Sequence, residues 1–231
     1  MPCLARRDPL NEEHDAKGRF MKTHNSLEGK PAATMGIAKK ISRGNSADGN
    51  DTSSPLKAFR GTKSLETSTW YMSNLTTYLV EEEDSNGDFS LIEAVMEPGN
   101  EPPPHVHSRE DELYYILEGE VDVYVGEEAF KVQTGECVFL PKLKPHAFVI
   151  RSSRIRLLLI ITPGGLEEAF RSTASPAQSL DLPVGMPTYS TTDLKQTAQR
   201  FIEYGVHFLE PDEIEEQLPL YPNPLPREAS A

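Results

Sequence analysis

An all-β fold, a sandwich or barrel of short antiparallel strands, is what this sequence predicts, on three observations. Short apolar runs rich in Val, Ile, Leu, Tyr and Phe recur from Thr69 to Thr162. Gly119, Gly126, Gly135 and Pro145 punctuate them as turns. Helical periodicity, in contrast, is strong only after residue 190, where Leu194, Ala198, Phe201 and Ile202 share one face at i, i+4, i+7 and i+8.

Three segments follow from the change in texture along the chain. Residues 1–66 hold few large apolar side chains, so little burial offsets chain entropy, and they read as a disordered polar segment with a linker over Gly44–Pro55. Residues 67–163 read as the barrel. Residues 164–231 read as C-terminal helices and a Pro-rich tail.

Within the barrel segment, Thr69–Val80 reads as one strand and Phe89–Met96 as the next. Then come His105–His107, Glu112–Leu117, Val121–Val125, Ala129–Val132, Cys137–Leu140, Ala147–Arg151 and Ile155–Thr162. Val121–Val125 alternates apolar and polar residues, which predicts one wet face. The unbroken run Leu157–Ile161 predicts burial on both faces. Downstream, Gly164–Phe170 reads as a short helix and Ser190–Tyr204 as a longer one, capped by Thr191 or Thr192 and stopped at Gly205. That helix is expected to pack on the barrel or on a second subunit, and a homodimer is the expected assembly. Glu210–Ala231 reads as extended, and His207 has no assigned role.

A net charge of −13 argues against a nucleic-acid partner, the more so because residues 1–66 are net basic and the remainder is correspondingly more acidic. No apolar run is long enough for a membrane span. The start of the chain lacks a secretory apolar core, so the expected location is cytoplasmic. Two cysteines, Cys3 and Cys137, suggest no disulfide framework; Cys137 is expected to be a buried free thiol.

One stretch carries chemistry. In Gly99–Gly119 (GNEPPPHVHSREDELYYILEG), His105 and His107 stand two apart. On a strand, i and i+2 project from one face, so both imidazoles can reach one ion. Glu112 opens the next strand and can return a carboxylate to that ion; His146 comes from Gly135–His146 (GECVFLPKLKPH). Three imidazoles and a carboxylate suit one divalent transition metal (Fe, Mn, Ni, Cu or Zn) with positions left open. Glu110 and Asp111 read as solvated charges in the intervening turn. Alternation places Tyr114 and Ile116 inward with Glu112, and Phe148 and Ile150 inward with His146. Tyr114 and Phe148 are thus candidate walls of a substrate pocket.

These residues also carry a family resemblance. Gly99, His105, His107, Glu112 and Gly119 resemble the complete first motif of the cupin superfamily; Gly135, Pro141 and His146 resemble the second. Leu143 stands where that motif usually has glycine, and Ile150 where it usually has asparagine. The resemblance covers about Trp70 to Pro163 and implies a double-stranded β-helix, or jelly-roll, barrel. Within the superfamily, PPPHVHSREDELYYILEGE looks most like single-domain proteins similar to quercetin 2,3-dioxygenases. That implies a dioxygenase that brings a small enolisable aromatic substrate together with O2, Glu112 serving as ligand and as the base that takes the substrate proton. The same ligands would also serve a non-oxidative isomerase or decarboxylase, or a barrel that only binds small molecules.

Overall fold

The chain forms twelve strands and four helices among the residues described by this computed structural model, 56–185 and 190–223. In order they are β1 (Ser68–Tyr71), β2 (Asn74–Val80), α1 (Glu82–Ser85), β3 (Ser90–Met96), β4 (His105–His107), β5 (Asp111–Glu118), β6 (Glu120–Val125) and β7 (Glu128–Gln133). There follow β8 (Cys137–Leu140), β9 (His146–Ile150), β10 (Ile155–Thr162), α2 (Glu167–Thr173), β11 (Ser175–Pro176), α3 (Thr191–Glu203), β12 (Val206–Phe208) and α4 (Pro211–Gln217). A seven-stranded sheet runs β11-β1-β2-β3-β10-β5-β8, and a five-stranded sheet runs β12-β4-β9-β6-β7. This is the jelly roll of the sequence expectation. The disordered segment expected over 1–66 lies outside the described residues as far as residue 55, and so does the tail from 224. Residues 56–66 form neither helix nor strand.

The core lies between the sheets. Ile92, Ile116, Val123, Leu140, Ile155 and Ile161 are almost fully enclosed. They sit at alternate strand positions, so the period of two selects the face that is buried.

Several expectations are corrected. Thr69–Val80 is two strands, because Met72 and Ser73 both take positive φ (47° and 67°) and close a two-residue hairpin. The outer face of β6 is dry, not wet. Asp122 there accepts from Arg151 Nε at 2.6 Å, and Tyr124 lies under Leu209 and Leu218. On β10 the outward residues Arg156, Leu158 and Ile160 are only half-buried, so that strand is not enclosed on both faces. Cys137 is exposed, since Val138 and Leu140 take the inward positions of β8. The short helix expected at Gly164–Phe170 begins three residues later.

At the C-terminal end, Ser190 caps α3. Its hydroxyl accepts from Asp193 N, and Asp193 returns a carboxylate to Ser190 N. Of the apolar stripe, Phe201 is buried, whereas Leu194 and Ile202 remain 43% and 50% exposed. α3 packs on the barrel through Phe201, whose ring meets Tyr71, Phe170 and Phe208. After α3 comes β12, which pairs with β4, and the region expected to be extended from Glu210 holds α4, which starts at Pro211 behind a capping box of Glu210 and Glu213. Gly205 joins α3 to β12 at φ 91° and accepts from both Ser108 N and Ser108 Oγ, at 2.9 and 2.8 Å. A side chain at Gly205 would collide with Ser108 Oγ. The C-terminal elements are thereby fastened beside His107.

Candidate metal centre

Three strands deliver four side chains to one point. β4 pairs with β9 at His105↔His146, which sets those two rings side by side. β5 brings Glu112, opposite Ile161 of β10 and Leu140 of β8. One ligand atom from each of His105, His107, Glu112 and His146 lies within 4.8 Å of the others, and all four residues are buried. His105 Nε2 is 3.2 Å from His146 Nε2, and Glu112 lies 3.5 Å from Nε2 of both His107 and His146. The His107 and His146 rings are parallel within 3°.

The tautomers follow from the partners on the far side of each ring. His105 Nδ1 lies 2.8 Å from the Pro103 carbonyl and His146 Nδ1 3.3 Å from that of Lys144. A carbonyl can only accept, so both Nδ1 atoms carry the proton and both Nε2 atoms present lone pairs. Two lone pairs 3.2 Å apart repel one another. Nε2 of His107 is buried with no hydrogen-bond partner. A cation among these atoms answers both the repulsion and the orphaned nitrogen. The donor set therefore fits a divalent transition metal.

Electrostatics hold His105 and Glu112 in their ligating forms and pull His107 the other way, toward its protonated form. Burial, aided by the neighbouring His146 and His107, pushes the His105 imidazolium pKa down to about 3. For Glu112, burial pushes upward, but His107 and His146 outweigh it and hold the carboxyl at about 2. His107 is raised, because Glu112 and Glu110 together overcome its burial. Tyr114 donates its hydroxyl to Glu112 Oε2 at 3.1 Å and stays neutral, burial and the adjacent carboxylate both raising its pKa.

A cavity of about 620 Å³ opens from this cluster. Tyr114 and Phe148 line it, in edge-to-face contact with their centroids 5.7 Å apart. Residues after β10 in the chain complete its walls: Phe170, Leu194, Phe201, and Phe208, whose ring centroid lies 6.0 Å from that of His105. The approach to the cluster is fixed by Glu101, which accepts from Gly99 N at 2.6 Å and from Ile150 N at 2.8 Å.

The structure thus brings together all four expected ligand residues and both expected pocket residues. It corrects the reading of Glu110, which is 4% exposed and faces Nδ1 of His107 at 3.5 Å. Asp111 is partly exposed; it accepts from Lys142 N and forms an ion pair with Lys142 Nζ. His207 projects outward from β12 to Glu213, 3.0 Å away.

Residues 92–162 match the family described as the cupin domain, and with the jelly roll and the four-residue cluster they identify the chain as a member of the cupin superfamily. An uncharacterized protein of Methanocaldococcus jannaschii is 37% identical over 57 residues, 25% of this chain and 46% of that protein. The quercetin 2,3-dioxygenase of Bacillus subtilis is 21% identical over 95 residues, 41% of this chain and 28% of that enzyme. This chain therefore spans less than half the length of either. Among solved structures, KdgF from Halomonas sp. superimposes with a TM-score of 0.38 at 17% identity, over 42% of this chain and 84% of that one. Among the described residues, no helix is long and apolar enough to cross a membrane.

Proposed function

We propose that this protein is a metal-dependent dioxygenase acting on a small, flat, enolisable aromatic substrate. The observation that carries the proposal is the joining of two features: a buried His3Glu cluster with its lone pairs turned inward, and an aromatic-walled cavity leading away from it. The similarity to the Bacillus subtilis quercetin 2,3-dioxygenase supports the oxidative reading.

His105, His107, Glu112 and His146 would hold the ion. When bound, a divalent ion with open positions supplies Lewis acidity toward a chelating hydroxyl and carbonyl, lowers the pKa of that hydroxyl, and provides a meeting place with O2. The protein supplies the rest. Glu112 is ionised at neutral pH and accepts the hydroxyl proton. The Tyr114 hydroxyl holds Glu112 Oε2 in place through that transfer. Phe148, Phe201 and Phe208 enclose the substrate's apolar body and exclude water from the enolate. A homodimer belongs to this reading, and light scattering of the full chain checks it.

The test is oxygen uptake by protein loaded in turn with Fe, Mn, Ni, Co and Cu and offered a flavonol. Uptake that requires the ion is expected. Glu112→Gln should keep part of the metal, because an amide oxygen is a weak ligand, yet lose most turnover, because it cannot take the proton. No uptake with any ion, alongside anaerobic conversion of a carbonyl substrate, replaces the oxidative reading with isomerisation or decarboxylation.

A further inference from the structure

Glu110 lies outside the four-residue cluster and is as buried as its members. Its Oε2 stands 3.5 Å from Nδ1 of His107, at the edge of the ring opposite the one that meets Glu112. That oxygen and both ring nitrogens of His107 are buried with no hydrogen-bond partner of ordinary length. The neighbouring cations are engaged elsewhere: Arg109 donates to the Glu203 carbonyl at 3.3 Å, and Lys142 pairs with Asp111. A buried carboxylate is costly unless something answers its charge, and the group in position to do so is the His107 ring.

The three imidazoles are therefore not equivalent. His105 and His146 turn Nδ1 toward neutral carbonyls, those of Pro103 and Lys144. His107 turns Nδ1 toward a carboxylate. We propose that Glu110 is a positioning residue of the ion site: it holds the proton on Nδ1 of His107, presents Nε2 as a lone pair, and makes His107 the strongest donor of the three rings. This rests on the reading of the cluster as a metal site. The physical basis is that a charged acceptor draws on the Nδ1 proton harder than a carbonyl does, which makes the opposite nitrogen more basic and orients the ring. Sequence spacing gives no sign of this role, because Glu110 sits in a polar turn, where a charged residue reads as solvated.

The test uses the full-length protein with Glu110→Gln and Glu110→Ala. The amide conserves volume and can still accept from Nδ1, but without charge. Affinities for Zn2+ and Co2+ are measured by competition with a chromogenic chelator, and the absorption bands of bound Co2+ report the ligand field. Glu110→Ala should weaken binding by about 10–100-fold and Glu110→Gln by about tenfold, with shifted Co2+ bands. In a His107→Ala background, Glu110→Gln should change affinity no more than about twofold, because the two residues act as one unit. Should the alanine variant fail to fold, the glutamine variant and the double-mutant comparison decide. Wild-type affinity and Co2+ bands in Glu110→Gln, with only a lowered melting temperature, would make Glu110 purely structural and overturn the proposal. Wild-type protein that binds neither ion would overturn the metal reading itself, before any substitution, and the role of Glu110 with it.

Discussion

The strands that carry the ligand cluster and the C-terminal elements that wall the cavity are built to different standards. On β4, β5 and β9 the cluster's side chains are backed from behind: His105 and His146 by the Pro103 and Lys144 carbonyls, Glu112 by the Tyr114 hydroxyl, and His107 by the Glu110 carboxylate 3.5 Å away. Orientation there is set by hydrogen bonds and strand register. On α3 and β12 the contributions are mainly apolar, from Leu194, Ala198, Phe201, Val206 and Phe208, with the side chain of Thr197 as the polar exception. Leu194 still shows 43% of its surface. The barrel fixes the chemistry, and the appended segment fixes the volume in which it acts. Such a division leaves room for the cavity to change while the donor set is kept.

The largest expected effect breaks the barrel side alone. His105→Ala or His146→Ala should strip most of the ion from a protein that otherwise carries about one per chain, because too few strong donors remain to compete with water. Elemental analysis measures it; equal metal in both variants and wild type would refute the site.

A substitution on the other side should give the opposite pattern. Phe201→Ala removes a buried ring that meets Tyr71, Phe170 and Phe208, and should cost about 3 kcal/mol in urea unfolding. It should raise KM for an aromatic substrate and leave metal content unchanged. Loss of metal in this variant would show that the two regions are coupled and would end the division.

Acid sharpens the comparison further. His105 titrates at about 3 when folded against 6.5 for the free group, so the stability of the metal-free protein is present above pH 6.5 and is lost as pH falls toward 3. Glu112, depressed from 4.5 to about 2, adds a loss in the same direction below pH 4.5. His107, being raised, acts the other way and contributes stability below pH 6.5. Below pH 6.5 the His107 contribution is already complete, so denaturant midpoints of chelator-treated protein should fall between pH 6.5 and pH 4 through His105, with Glu112 adding to the loss only below pH 4.5. Phe201→Ala should show the wild-type slope, since it touches no charge in the cluster.

The smallest effect concerns Leu143. It occupies the left-handed region at φ 63°, is 70% exposed, and donates its N–H to the His107 carbonyl at 2.8 Å. Leu143→Gly relieves the left-handed cost and adds unfolded-chain entropy, for a net gain of about 0.5 kcal/mol. A lower melting temperature would contradict this.

What could be read from the sequence divides along similar lines. His105, His107 and Glu112 were legible because a period of two decides which side chains share a face. Tyr114 and Phe148 followed by the same alternation. Glu110 was not legible, since a charged residue in a polar turn reads as solvated and only the folded chain shows it buried. The covered outer face of β6 was missed because its cover, residues 209–223, comes from far along the chain. The Met72–Ser73 hairpin lacks the glycine or asparagine that usually marks such a turn. The start of α4 was written in Glu210, Pro211 and Glu213, but acidic composition obscured it.

The covering of β6 reaches further than the core. Ala147, between His146 and Phe148 on β9, packs outward on Tyr124, Leu209 and Leu218. Tyr124 donates its hydroxyl to the Asn223 carbonyl at 2.6 Å and accepts from Arg151. The strand that presents His146 to the interior is thus braced from its reverse side, like a panel backed by a strut. The docking of a segment that lines no part of the cavity thereby bears on the strand that carries His146, and a ligand or modification that loosened this segment would reach the centre from outside the barrel.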